Sequence, residues 1–224
     1  MSNDLRLVIF DVDGTLVDSQ AHILAAMTGA FKAQGLKVPD RESVLELVGL
    51  SLDVLMPRLA PNESPDIHKA LVEGYKNAFV GIRQSNQSVN LTPLFPGAMG
   101  MLDQLHAQPE TLLGIATGKS RRGLDKVLES HDLARRFVTQ QVADHHPSKP
   151  HPAMLQACLA DTGVAQQDAV MIGDTSYDME MAKAAGLFAI GVSWGYHDRA
   201  QLSAADVVID QFKDLHDVLN DYWG

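Results

Sequence analysis

Asp11-Val12-Asp13-Gly14-Thr15 places two carboxylates one residue apart, followed by a glycine and a hydroxyl. Like charges that close resist joint ionisation. A divalent cation removes that cost, so the pair suggests a Mg²⁺ site in which one acid attacks phosphorus and the other carries a proton. Taken alone, the pair reads equally well as a polar turn with both acids in water. Two further acids stand in Gly173-Asp174-Thr175-Ser176-Tyr177-Asp178, where either could also cap a helix. Thr117-Gly118-Lys119 offers a hydroxyl and free backbone N–H groups that could hold a phosphoryl oxygen. Ser148-Lys149-Pro150 offers a fixed positive charge to a phosphate or a carboxylate. A helix cap at Thr117 and a solvated loop lysine at Lys149 are the plainer alternatives.

The elements that carry these residues weigh against the plainer alternatives. Leu7-Val8-Ile9-Phe10, directly before Asp11, reads as a buried strand. Similar runs occupy Leu112–Ala116, Ala169–Ile172, Leu187–Val192 and Asp206–Ile209, with helical patterns between most of them. That alternation predicts an α/β fold with a Rossmann-like parallel sheet and helices on both faces. Thr117 follows the second run and Asp174 the third; Lys149 precedes the helical pattern that contains Met154. In a parallel sheet the strand ends converge on one edge, where ligands bind. Four acids, a threonine and a lysine then share one crevice, which helix capping does not require.

The alternation breaks after the first strand. Ile23, Leu24, Met27 and Phe31 repeat at helical spacing, as do Ile67, Leu71, Tyr75 and Phe79. Ser64-Pro65-Asp66 is a helix start, and Thr92-Pro93-Leu94-Phe95-Pro96-Gly97 a return loop. The expected organisation is a core domain of residues 1–16 and 94–224, interrupted by an all-helical cap at 17–93 that lies over Asp11 and Asp13. Gly186, after Ala182-Lys183-Ala184-Ala185, reads as a helix C-cap.

With 224 residues and a net charge of −10, the chain is long enough for a sizeable core and too acidic to favour a nucleic-acid backbone. Its single cysteine, Cys158, excludes an intrachain disulfide and suits a reducing cytosol, so a cytoplasmic location is expected. Cys158 falls at helical spacing with apolar neighbours and reads as a buried thiol. No signal peptide, transmembrane span or membrane partner is expected. Gly114-x-x-x-Gly118-Lys119-Ser120 imitates a nucleotide-binding loop but has one residue too few between the glycines. His145-His146 reads as a solvated loop, and Arg121-Arg122 as an exposed helix face.

The ordered set resembles the haloacid dehalogenase-like phosphohydrolase superfamily. It matches Asp-x-Asp-Gly-Thr, a Thr after the second core strand, a distal Lys and Gly-Asp-x-x-x-Asp, in that order. The helical insert resembles the small cap that one subgroup carries after the first motif. Phe10 to Ser19, Pro93 to Gly97, Lys149 to Pro152 and Gly191 to Gly195 are similar to phosphoglycolate phosphatases and their close relatives. The resemblance implies that Asp11 is the nucleophile and forms an aspartyl-phosphate, while Asp13 is the general acid and base. It implies Mg²⁺ held by the Asp11 carboxylate, the Asp13 backbone carbonyl and the Asp174 carboxylate. It makes Thr117 and Lys149 phosphoryl ligands, and has Asp178 orient Lys149 or a metal-bound water. The implied activity is Mg²⁺-dependent hydrolysis of a small phosphorylated metabolite, phosphoglycolate or a similar monoester.

Inorganic pyrophosphatase and sugar-phosphate mutase share this fold and its motifs. Mutases of the β-phosphoglucose type carry a His where this chain has Ile23, and a Lys and an Arg near Gly49-Leu50-Ser51, where this chain has Val48 and Leu52. Asp13 disfavours a dehalogenase. A catalytically silent binding scaffold has no need of so many adjacent acids. Gly49-Leu50-Ser51 offers no charge partner for a substrate carboxylate; Arg58 and Arg83, which could supply one from the cap, read as surface charges.

Overall fold

The computed structural model describes residues 5–85 and 92–224, the side chains of 82–85 excepted. Arg83 therefore has no described side chain. Among the described residues, strands β1 (Arg6–Phe10), β2 (Thr111–Thr117), β3 (Thr139–Val142), β4 (Ala169–Gly173), β5 (Phe188–Val192) and β6 (Val207–Ile209) form one parallel sheet in the order β3-β2-β1-β4-β5-β6. β1 lies between β2 and β4, with Phe10 opposite Ile115 on one side and Ile172 on the other. The chain therefore winds outward from β1 in both directions. The crevice at the carboxyl ends opens where the winding reverses.

Alternation along β1 builds two apolar layers. Val8 and Phe10 pack into one layer with α5 (Ala98–His106), α6 (Arg121–Ser130) and α9 (Leu215–Trp223). Leu7 and Ile9 pack into the other with α7 (Ala153–Thr162) and α8 (Ser176–Ala185). Cys158 of α7 is wholly buried there, and burial pushes its thiol up to about 12. Gly186 closes α8 in the left-handed conformation, as its position predicts.

The five strand-like runs lie where the pattern puts them, within about a residue at each end. β3 is an addition. Thr139-Gln140-Gln141-Val142 has no apolar run, because as an edge strand it buries its ends and leaves both glutamines half-exposed.

Between β1 and α5 the elements among the described residues are helices: α1 (Gln20–Ala33), α2 (Arg41–Leu45), α3 (Leu52–Leu59) and α4 (Pro65–Ser85). They enclose an apolar cluster of their own, with Met27 and Phe31 of α1 meeting Met56 of α3 and Leu71 and Phe79 of α4. Among the described residues no helix is long and apolar enough to cross a membrane.

Candidate active site

The Asp11 N–H donates to the Ile172 carbonyl at 2.9 Å, so the sheet's own bonding carries this carboxylate one step beyond β1. The chain then turns tightly: the N–H groups of Leu16 and Val17 both reach the Val12 carbonyl at 3.0 Å. Gly14 makes the turn at φ 83°, and a Cβ there would lie 2.1 Å from Asp174 Oδ2. A Cβ at Gly195 would lie 2.1 Å from Asp174 Cβ, and one at Gly173 would lie 2.4 Å from Asp178 Cβ. Bare backbone thus closes around both distal acids, which only glycine permits.

Two of the three clustered acids are fully engaged. Asp174 accepts from Thr15 Oγ1 and from the Tyr196 N–H, each at 2.9 Å. Asp178 stands in the first turn of α8. Its Oδ2 accepts from Thr175 Oγ1 at 2.6 Å and the Thr175 N–H at 3.1 Å, which closes a capping box. Its Oδ1 accepts from Lys149 Nζ at 2.6 Å. Lys149 Nζ also stands 3.0 Å from Asp11 Oδ1, and both side chains are essentially out of contact with water. Neither buried oxygen of Asp11 receives an aligned hydrogen bond.

Carboxylate oxygens of Asp11, Asp174 and Asp178 lie within 4.8 Å of one another. Burial raises the Asp11 carboxyl; Lys149 pulls it down, Asp178 and Asp13 push it up, and it settles at about 6. Burial, then Asp178 and Asp11, hold Asp174 well above the usual carboxylate range. Burial works against the charge on Lys149, but Asp11 and Asp178 outweigh it and raise that ammonium. Three buried acids against one lysine leave an excess of negative charge, and Asp11 keeps unsatisfied oxygens beside Asp174. Hard oxygen donors in that state fit a divalent cation such as Mg²⁺.

The Asp13 carboxylate faces other partners. Ser19 Oγ donates to it, and Lys119 Nζ stands 2.7 Å from each of its oxygens. Thr117 is buried at the end of β2, where its Oγ1 accepts from the Lys119 N–H at 3.3 Å. It does not cap α6; Ser120 does, accepting from the Gly123 N–H. Asp11, Asp13 and Thr117 line a cavity of about 250 Å³ whose far wall includes Ile23, Met27 and Phe79.

The helical segment is tied to the sheet edge. A Cβ on Gly118 would lie 2.3 Å from the Gly49 carbonyl oxygen. The Ser51 N–H donates to Ser148 Oγ at 2.9 Å, and Tyr177 OH to the Glu46 carbonyl at 3.1 Å. His197 Nε2 lies 2.9 Å from that same carbonyl.

The structure therefore brings Asp11, Asp13, Thr117, Lys149, Asp174 and Asp178 to one edge of the sheet. It also adds Thr15, Ser19, Tyr196 and the side chain of Lys119. Lys119 carries a weak signal in its place beside Thr117, and Tyr196 in its place beside the Gly191–Gly195 motif. Arg122 is exposed at the cavity, Arg58 is exposed on α3, and His146 pairs with Gln141 at 2.8 Å.

Comparison with known proteins identifies the family. Residues 8–192 match the haloacid dehalogenase-like hydrolase family. The chain is 35% identical over 217 residues to the probable phosphatase IndB of Dickeya dadantii, covering 93% of this chain and 91% of that protein. It is 32% identical over 231 residues to the phosphoglycolate phosphatase of Salmonella typhimurium, covering 95% and 91%. The crystal structure of a predicted phosphoglycolate phosphatase from Haemophilus somnus superposes with a TM-score of 0.83 at 25% identity, covering 97% of this chain and 99% of that one.

Proposed function

The chain belongs to the haloacid dehalogenase-like hydrolases as a phosphoric monoester hydrolase, and we propose that it hydrolyses a small phosphomonoester with Mg²⁺ through an aspartyl-phosphate on Asp11. The observation that carries this reading is the buried Asp11 carboxylate, free of aligned hydrogen bonds, between Lys149 and Asp174 at the floor of the cavity.

One Asp11 oxygen attacks phosphorus and the ester oxygen departs. Asp13 donates the proton that the departing alkoxide needs. Asp13 then takes a proton from the water that attacks phosphorus, which breaks the acyl–phosphate bond and restores Asp11. Lys149 and Thr117 bind phosphoryl oxygens, and Asp178 holds Lys149 in place. The carboxylates of Asp11 and Asp174, with the Asp13 carbonyl, would hold Mg²⁺, which supplies positive charge against the developing phosphoryl charge. Residues 17–93 act as a cap domain that shapes the space for the leaving alcohol. Ile23 lines the cavity where a mutase carries a titratable His, which favours hydrolysis over transfer to a second hydroxyl. The lone buried thiol supports a cytoplasmic setting.

The test is phosphate release from 2-phosphoglycolate, pyrophosphate, hexose phosphates, nucleotides and an aryl phosphate, with Mg²⁺ and with chelator. Metal-dependent release from one or more monoesters is expected. No release from any of them, or full activity in chelator, overturns the reading.

A further inference from the structure

Resting on that reading, we propose that Lys119 recognises an acidic group on the leaving alcohol, so that the preferred substrates are phosphate esters of short hydroxy acids. Lysine is rarely buried without a partner. Lys119 is only 8% exposed, lies with its ammonium 4.8 Å from the centre of the Phe79 ring, and lines the cavity. Its backbone carries the local structure, since its carbonyl accepts from the Ala143 N–H at 3.1 Å and the cap of α6 falls to Ser120. Its side chain instead reaches the cavity and pairs with Asp13.

Lys149 is committed to Asp11 and Asp178, on the phosphoryl side. Lys119 stands on the other side, next to the acid assigned to the ester oxygen. Asp13 reaches that oxygen by one hydrogen bond and Lys119 reaches Asp13 by another. Lys119 Nζ therefore lies no more than about 6 Å from the ester oxygen, and an anion bonded to it no more than about 9 Å. A carboxylate about one to three carbons away meets this limit.

The other described cations of the cavity serve less well. Lys76 is half-exposed and held by Glu73 at 3.4 Å, and Arg122 is exposed. Ile23, Met27, Leu50 and Phe79 make part of the cavity lining apolar, beside the mutually paired Glu73 and Lys76. An apolar wall lowers the local dielectric and strengthens the pull of a buried ammonium on an incoming carboxylate.

The experiment compares kcat/KM for 2-phosphoglycolate and 2-hydroxyethyl phosphate, which differ by a carboxylate against an alcohol, in wild type, Lys119→Met, Lys119→Gln and Lys119→Arg. The wild type is expected to prefer the carboxylate about ten- to a hundredfold, as suits a hydrogen bond to a charged group. Lys119→Met and Lys119→Gln bring the ratio near one, mainly through KM, and Lys119→Arg restores a preference. A wild-type ratio near one overturns the proposal. So does a ratio that survives in Lys119→Met or Lys119→Gln while both rates fall together, because Lys119 then acts only through Asp13. If Lys119→Met fails to fold, the Gln and Arg variants decide the same question. Release from neither ester nor from an aryl phosphate by wild type overturns the phosphatase reading itself, and this proposal with it.

Discussion

The sheet edge and the helical wall face each other across one cavity and are built on opposite terms. At the edge, Asp11, Lys149, Asp174 and Asp178 are almost wholly buried, and glycine backbone and reciprocal hydrogen bonds fix the two distal acids. On the wall, apolar side chains from α1, α3 and α4 offer shape and little polarity, and the ties to the core include the Glu46 carbonyl, the Ser51 N–H and the ring of Phe79. The difference separates two tasks. A fixed charged edge suits bond breaking, where preorganised groups need no rearrangement. A separate apolar wall can change its lining, and so the alcohol it admits, without disturbing that edge.

Removing the edge's central oxygen breaks the comparison most severely. Asp11→Asn is expected to lower turnover more than about a thousandfold. Its thermal midpoint should hold or rise, because it relieves repulsion among buried acids. Phosphate-release kinetics and a melting curve check both. Metal removal comes next: chelator abolishes activity, and Mg²⁺ at a hundred times its dissociation constant stabilises the protein by about 2.7 kcal/mol. Calorimetry with and without Mg²⁺ reads that difference.

Phe79→Ala attacks the wall instead. It deletes a buried ring that packs against His22 at 3.7 Å and covers Lys119. A stability loss of about 3 kcal/mol is expected in urea unfolding, with KM for the preferred ester rising more than kcat falls. The metal-free edge also has a pH signature. Asp11 binds its proton more tightly folded than unfolded, since burial raises it from 3.8 to about 6. Its contribution to stability is therefore full below 3.8 and lost as pH rises to about 6. In chelator, urea midpoints of wild type should fall relative to Asp11→Asn across that interval. The smallest effect belongs to Tyr177→Phe, which removes one hydrogen bond to the Glu46 carbonyl. It should cost about 1 kcal/mol and show mainly in KM.

The same division governs what the sequence alone makes legible. β1, β2 and β4 announce themselves as apolar runs, and their carboxyl ends bring Asp11, Thr117 and Asp174 to one edge. Local pattern suffices because a parallel sheet does the gathering. β3 is illegible because an edge strand leaves Gln140 and Gln141 half-exposed. The wall's contacts are illegible for another reason. Lys119 meets Asp13 across 106 positions and Tyr177 meets Glu46 across 131, and periodicity reports which face is buried, never which distant residue it meets. Asp178 combines both cases: its place in the first turn of α8 predicts a cap, which it makes, while its bond to Lys149 comes only with the fold.

The most direct test is chemical capture of the intermediate. The enzyme is quenched with acid during turnover of 2-phosphoglycolate or an aryl phosphate with Mg²⁺, digested, and mapped by mass spectrometry. The account predicts a phosphoryl group on Asp11 that requires substrate and metal and is absent from Asp11→Asn. A phosphoryl group on another residue, or near-normal turnover by Asp11→Asn, contradicts it.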